Sequence, residues 1–185
     1  MDQPNYFIIS GGPGSGKSSI IDRLDARGFT TVGETGRAII REQAESGGNA
    51  THTGDAEAFG LLMLERGIAD YRRMRKEDEP VFFDRGIAEL TGYWRLIGKP
   101  LPERVALAAR EYRTNRTVFL APPWREIYRQ DAERQQDWNE AVRTFELVRE
   151  AYDTAGYMTI EIPKDTVARR VSFILAEVDA AMEDG

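Results

Sequence analysis

Apolar residues in this chain fall into two rhythms. Short unbroken runs read as strands covered on both faces: Tyr6-Phe7-Ile8-Ile9, Phe29 to Val32, Pro80 to Asp84, Thr117-Val118-Phe119-Leu120, and Tyr157 to Ile162. Between them, apolar positions recur three and four apart. That spacing predicts helices over 17–27, where Ile20 and Leu24 lie one turn apart, and over 34–45, 86–97 and 102–113. Asp55 is placed to cap a helix that runs through Phe59, Leu62 and Met63 to about Arg75. A polar stretch from Trp124 to Arg143 leads into a helix ending near Gly156. Val167, Val171, Ile174, Leu175 and Val178 share one face of a last helix. Ser46 to Gly54 is rich in Ser, Gly, Asn and Thr and reads as a mobile loop, with His52 solvated in it. Alternation of five strands with helices predicts a three-layer α/β fold around a parallel five-stranded sheet. It forms a single domain over residues 1–185, without linker or repeat.

The turn after the first strand changes the picture from fold to chemistry. Gly11-Gly12-Pro13-Gly14-Ser15-Gly16-Lys17-Ser18 has Gly, four residues, Gly, Lys and Ser, the pattern of a phosphate-binding P-loop. The chain's own composition predicts ~0.003 such matches by chance, so the pattern outranks coincidence. Glycines let successive backbone N–H groups turn toward phosphate oxygens, and the helix that follows points its positive end at the same anion. The loop from Gly12 through Pro13, Gly14, Ser15 and Gly16 to Lys17, Ser18 and Ser19 is therefore the expected nucleotide cradle. Lys17 would reach the outer phosphates and the Ser18 hydroxyl would ligate Mg²⁺.

Composition then removes alternatives. With no cysteine in 185 residues there is no disulfide framework, thiolate metal site or cysteine nucleophile. His52 is the single histidine, which excludes a multi-histidine zinc site. A net charge of −6 disfavours a general nucleic-acid coat, whose affinity rests on phosphate contacts. No apolar run approaches the roughly 20 residues of a membrane span. The first residues carry no basic cluster, so a cytoplasmic protein without membrane insertion is expected.

A P-loop site needs a carboxylate near its metal, supplied from the end of a neighbouring strand. Asp84, where Val81-Phe82-Phe83 leaves the sheet, is the candidate beside Ser18. The next residue is Arg85 rather than the glutamate that motor ATPases use to polarise water, and no Asn-Lys-x-Asp motif for guanine is present. Arg85 either steadies phosphates or acceptor, or pairs with a nearby carboxylate. Glu34 follows the second strand and is placed to accept a proton from an acceptor hydroxyl; Arg37 is placed to hold an anionic part of the acceptor. The stretch 124–143 suits a helical lid that excludes water. In it Arg125 and Arg129 are four apart, with Arg134 beyond, placed to neutralise charge on the moving phosphoryl group. Glu126, Asp131 and Glu133 keep a salt-bridged surface helix open as the alternative. Pro163 and Lys164 join the last strand to the last helix, a position suited to packing on the nucleotide base. Asp165 or Thr166 there would also serve as a plain helix cap.

Together these residues resemble a bacterial family of predicted ATPases that carries an AAA label on a kinase-like P-loop domain. That family is related to ribosylnicotinamide kinases and, more distantly, to nucleoside and nucleotide kinases. The resemblance spans nearly the whole chain. It rests on Gly11 to Ser18, Glu34-Thr35-Gly36-Arg37, Phe83-Asp84-Arg85-Gly86, Pro122-Pro123-Trp124-Arg125, Asp131 to Arg134, Gly156-Tyr157, Pro163-Lys164, Arg169-Arg170 and Phe173. It implies a P-loop NTPase/kinase fold and ATP as the nucleotide. The expected activity is an ATP- and Mg²⁺-dependent kinase of a small nucleoside- or vitamin-like acceptor. The alternative is a regulatory nucleotide switch with slow hydrolysis and a protein partner.

Overall fold

The structure is a computed structural model that describes residues 2–128 and 137–183. Its central strand β1 (Tyr6–Gly11) is buried along its whole length. It pairs in parallel with β3 (Val81–Asp84) on one side and β4 (Thr117–Ala121) on the other. Outside these lie β2 (Thr30–Val32) and β5 (Met158–Glu161), so the sheet runs β2-β3-β1-β4-β5 with every pairing parallel. The register sets Ile9 against Asp84 and Gly11 against Ala121. Consecutive parallel strands need crossover connections, and these carry helices to both faces.

The strict alternation along β1 divides the core. Tyr6 and Ile8 point to one face, where they pack with Val81, Phe83, Val118 and Leu120. That face is covered by α3 (Ala56–Arg73), α4 (Leu90–Leu96), α5 (Glu103–Glu111) and α6 (Trp138–Thr154). Phe7 and Ile9 point to the other face, with Phe82 and Phe119, under α1 (Lys17–Asp25) and α7 (Val167–Glu183). The remaining helix, α2 (Thr35–Ser46), follows β2 and packs on α3. No helix among the described residues is long and apolar enough to cross a membrane.

The predicted elements are present, with two differences. Residues 86–97 do not form one helix. Arg85 sits at φ 80° and Gly86 is extended, so the chain turns sharply out of β3, makes a 3₁₀ turn over Ile87–Glu89, and only then starts α4. Second, α6 begins at Trp138, because the Asp137 side chain accepts from the Glu140 N–H at 2.8 Å and caps the helix there. Residues 138–143 of the expected lid are therefore the first turns of a core helix. Asp55 caps α3 as expected, accepting from Ala58 N–H at 2.9 Å.

The approach of α4 to α6 sets the wall of the site described below and depends on Gly92. A Cβ there would stand 2.7 Å from the Leu147 carbonyl oxygen, which belongs to backbone and cannot swing away. Alanine is the better helix former by about 1 kcal/mol, yet overpacking costs about 1–3 kcal/mol. Gly92→Ala should therefore lower stability in urea denaturation; a raised midpoint would show that the helices are not in close contact.

Candidate active site

The P-loop is shaped by glycines in conformations that side chains rarely adopt. Gly14 and Gly16 have φ values of 69° and 82°. Gly16 stands at the start of α1 with no side chain capping the helix, so its first N–H groups remain available to an anion. The Ser15 hydroxyl donates to the Gly12 carbonyl at 2.8 Å and braces the loop. Lys17 is buried, and its Nζ donates to the Gly12 and Gly11 carbonyls at 3.0 and 3.3 Å. Ser18 is half-buried on the cavity side of α1, whereas Ser19 is exposed.

One strand away, Asp84 is 5% exposed and its Oδ1 has no hydrogen-bond partner among the described residues. Burial pushes its carboxyl up to about 6, against the pull of Lys17; Glu34 and Glu89 push it the same way as burial. A buried carboxylate oxygen left without a donor, bordering the same cavity as a serine hydroxyl, fits a Mg²⁺ completed by phosphate oxygens and water. Asp84 and Ser18 are the residues that would hold it.

Arg85 turns back over this edge. Its Nη1 donates to Glu89 at 2.7 Å and its Nε to Glu34 at 3.3 Å, so the ion-pair reading of Arg85 is realised. Burial opposes its charge, but Glu89, Glu34 and Asp84 outweigh burial and hold its pKa above the usual value. Arg37 pairs with the second oxygen of Glu34 at 3.2 Å. Glu34 therefore sits between two guanidinium groups. Glu89 was not among the expected site residues. It accepts from the Ser10 hydroxyl, from the Tyr152 hydroxyl at 2.9 Å and from Arg85, and is 6% exposed. The available signal was a serine inside an apolar strand and a glutamate four residues past Arg85, which reads equally well as surface helix.

Two cavities meet here. One, of about 560 Å³, is bordered by Ser18, Asp22, Asp84 and Glu34. The larger, of about 620 Å³, runs from Pro13 and Asp84 past Glu34 and Arg37 into a chamber walled by Phe59, Met63 and Tyr93. His52 was expected to be solvated, but it borders this chamber with its ring 6.3 Å from Phe59. The 47–55 loop folds back on itself through Asp55 N–H to the Asn49 carbonyl at 2.7 Å, and this carries the histidine inward.

On the opposite side, Trp124 to Tyr128 makes a single turn over the P-loop. A Cβ on Gly14 would lie 2.6 Å from the Tyr128 ring, and one on Gly16 would lie 3.1 Å from Ile127 Cδ1. Arg125 stacks on Trp138 with its guanidinium 4.9 Å from the ring centroid. Arg129 and Arg134 lie outside the described residues. Pro163 and Lys164 are exposed beyond the end of β5, on the same edge of the sheet as the P-loop. The loop they open leads into a helix cap: the Thr166 hydroxyl accepts from Arg169 N–H at 3.4 Å, while Asp165 accepts from Thr166 N–H at 2.6 Å and pairs with Arg169 at 3.2 Å.

A family model described as an AAA domain matches residues 6–170. No curated protein matches the chain. Among solved structures, the chain resembles deoxyadenosine kinase from M. mycoides with a TM-score of 0.68 at 13% identity, covering 95% of this chain and 99% of that one. It also resembles thymidylate kinase from Candida albicans, with a TM-score of 0.68 at 11% identity over 96% and 92%. YorR protein from Bacillus subtilis, solved with phosphorylated GDP, gives 0.56 at 14% over 96% and 98%. The fold is thus that of P-loop kinases.

Asp84 binds its proton more tightly in the folded chain than its ordinary value of 3.8, at about 6. The contribution of Asp84 to stability therefore falls as pH rises between these values and levels off above. Asp84→Asn has no such slope. Its stability relative to the parent should grow by on the order of 2–3 kcal/mol from pH 4 to pH 7, as read by urea unfolding at several pH values. A difference independent of pH would contradict the buried carboxylate.

Proposed function

The chain belongs to this AAA-domain family, and from that premise we propose that it is a Mg²⁺-dependent kinase that moves the γ-phosphate of ATP to a hydroxyl of a small nucleoside- or vitamin-like molecule. The observation that carries this reading is the position of Glu34. It borders both the cavity of Asp84 and Ser18 and the larger, aromatic-walled chamber. A hydrolase needs a site for water; a carboxylate that borders both the cavity of Ser18 and Asp84 and a room large enough for an organic acceptor supports transfer instead.

In this reading the N–H groups of the loop from Gly12 to Ser18 grip the polyphosphate, joined by Ser19 at the helix start. Lys17 leaves the carbonyls of Gly11 and Gly12 for the β- and γ-phosphates. Ser18 and Asp84 would hold Mg²⁺, which would supply charge neutralisation for the polyphosphate. Glu34 accepts the proton of the acceptor hydroxyl as that oxygen bonds to the γ-phosphorus. The bond from phosphorus to the β–γ bridging oxygen breaks, and ADP carries its electron pair away. Arg37 and Arg85 fix both oxygens of Glu34, so the acceptor meets an oriented base. Arg125, Arg129 and Arg134 are the lid cations for the transferring group, and Pro163 and Lys164 pack on the base. The acidic chain is not a nucleic-acid binder in this reading, and its compartment is the cytoplasm.

Incubation with Mg·ATP and a library of nucleosides and vitamins, followed by mass spectrometry, should reveal one phosphorylated acceptor. Glu34→Gln should lower its formation by roughly 10²–10⁴-fold while ATP still binds. If ATP turnover ignores every acceptor and also ignores Glu34→Gln, transfer is not the activity. A partner captured only with triphosphate would then favour the regulatory switch.

A further inference from the structure

The sequence motif Arg169-Arg170 has no part in the site described so far. Arg170 lies on the buried face of α7, between Val167 and Val171, at 2% exposure. Its side chain does not stay among the apolar residues. It reaches the P-loop, where Nη2 donates to the Ser15 carbonyl at 3.1 Å, and a Cβ on Gly16 would lie 2.7 Å from Nη1. Its guanidinium carbon is 5.9 Å from the centroid of the Trp124 ring. Nε has no acceptor among the described residues, and no carboxylate among them pairs with the group.

This is unusual electrostatics. A buried charge is retained only where an opposite charge and hydrogen bonds replace water. Arg85, a few residues from the same loop in space, has two glutamates bonded to it. Lys17 has Asp84 in its field. Arg170 has one carbonyl and an aromatic face, and burial alone pulls its pKa below the ordinary arginine value. The groups it faces are Ser15 and Gly16, which form the nest where a polyanion would sit.

We propose that the missing counter-ion of Arg170 is the polyphosphate of a nucleotide seated in the P-loop, so that α7 supplies a second cation to the nucleotide beside Lys17. This rests on the nucleotide-binding part of the function proposed above and is independent of the acceptor. Arginine suits the position because its fork can keep the Ser15 carbonyl on one nitrogen and offer the others to phosphate oxygens. The helix that closes the fold is thereby tied to occupancy of the loop. Binding relieves the burial of an unmatched charge, and the affinity gained is specific to the anionic tail.

The test is calorimetric titration of ATP, inorganic tripolyphosphate and adenosine into the parent chain, Arg170→Met and Arg170→Lys, together with melting of each without ligand. Arg170→Met should weaken ATP and tripolyphosphate tenfold or more, leave adenosine unchanged, and not lower the ligand-free melting temperature. Arg170→Lys, which keeps the charge, should recover most of the lost affinity. Equal tripolyphosphate affinity in parent and Arg170→Met overturns the assignment, whether or not the melting temperature falls. So does an equal loss for adenosine and tripolyphosphate, which marks general damage. A parent chain that binds neither ATP nor tripolyphosphate removes the P-loop reading itself, and the Arg170 assignment with it.

Discussion

Charge withdrawn from water must be matched, and at the carboxyl edge of this sheet that constraint governs everything nearby. Lys17, Asp84, Glu89 and Arg170 are the buried charged side chains among the described residues, and all four stand at the ends of strands or on helices that meet there. Glu89 is satisfied within the protein, by two hydroxyls and Arg85. Lys17 donates to two loop carbonyls and lies in the field of Asp84. Among the described residues, Asp84 keeps an oxygen without a donor and Arg170 keeps a nitrogen without an acceptor. The deficits have opposite sign and flank one loop. A magnesium nucleotide, cation and polyanion together, is the kind of ligand that would complete both.

Topology creates that edge. Placing β1 in the centre with parallel neighbours on both sides brings Gly11 beside Ala121 and Ile9 beside Asp84. The exit of β3 is as unusual as that of β1: Arg85 adopts a left-handed conformation without being glycine and donates its N–H to the Ile9 carbonyl at 3.1 Å. Its guanidinium is thereby aimed along the edge at Glu34 and Glu89, rather than outward as a helical residue's would be. The strain is held by three hydrogen-bonded contacts, and it places Arg85 in the ion-paired network with Glu34 and Glu89 that borders the larger cavity.

Likeness to kinases of deoxyadenosine and thymidylate at 11–13% identity establishes an architecture. The proposed transfer reaction leans on Arg85 standing where motor ATPases carry a glutamate and on Glu34 bordering both cavities. The apolar wall of Phe59, Met63 and Tyr93 gives the chamber a character that no motif encodes.

Local pattern was enough for the parts that obey local physics. The buried strands announce themselves as unbroken apolar runs because both faces are covered. The cradle is legible because only glycines can turn N–H groups inward, and the Asp55 cap because a short carboxylate there reaches the third N–H. The positions of Asp84 and Glu34 at the carboxyl edge of the sheet follow from the same logic, since one ends β3 and the other lies between β2 and α2. Contacts between residues far apart in sequence carried no such signal. Glu89 and Ser10 meet across 79 positions and Arg170 and Ser15 across 155. Before folding, each is one polar residue among apolar neighbours, indistinguishable from a solvated surface group. Only the packing of α6 and α7 against the sheet strips away the water, and desolvation is what turns those side chains from ornaments of a helix into charges that demand a partner.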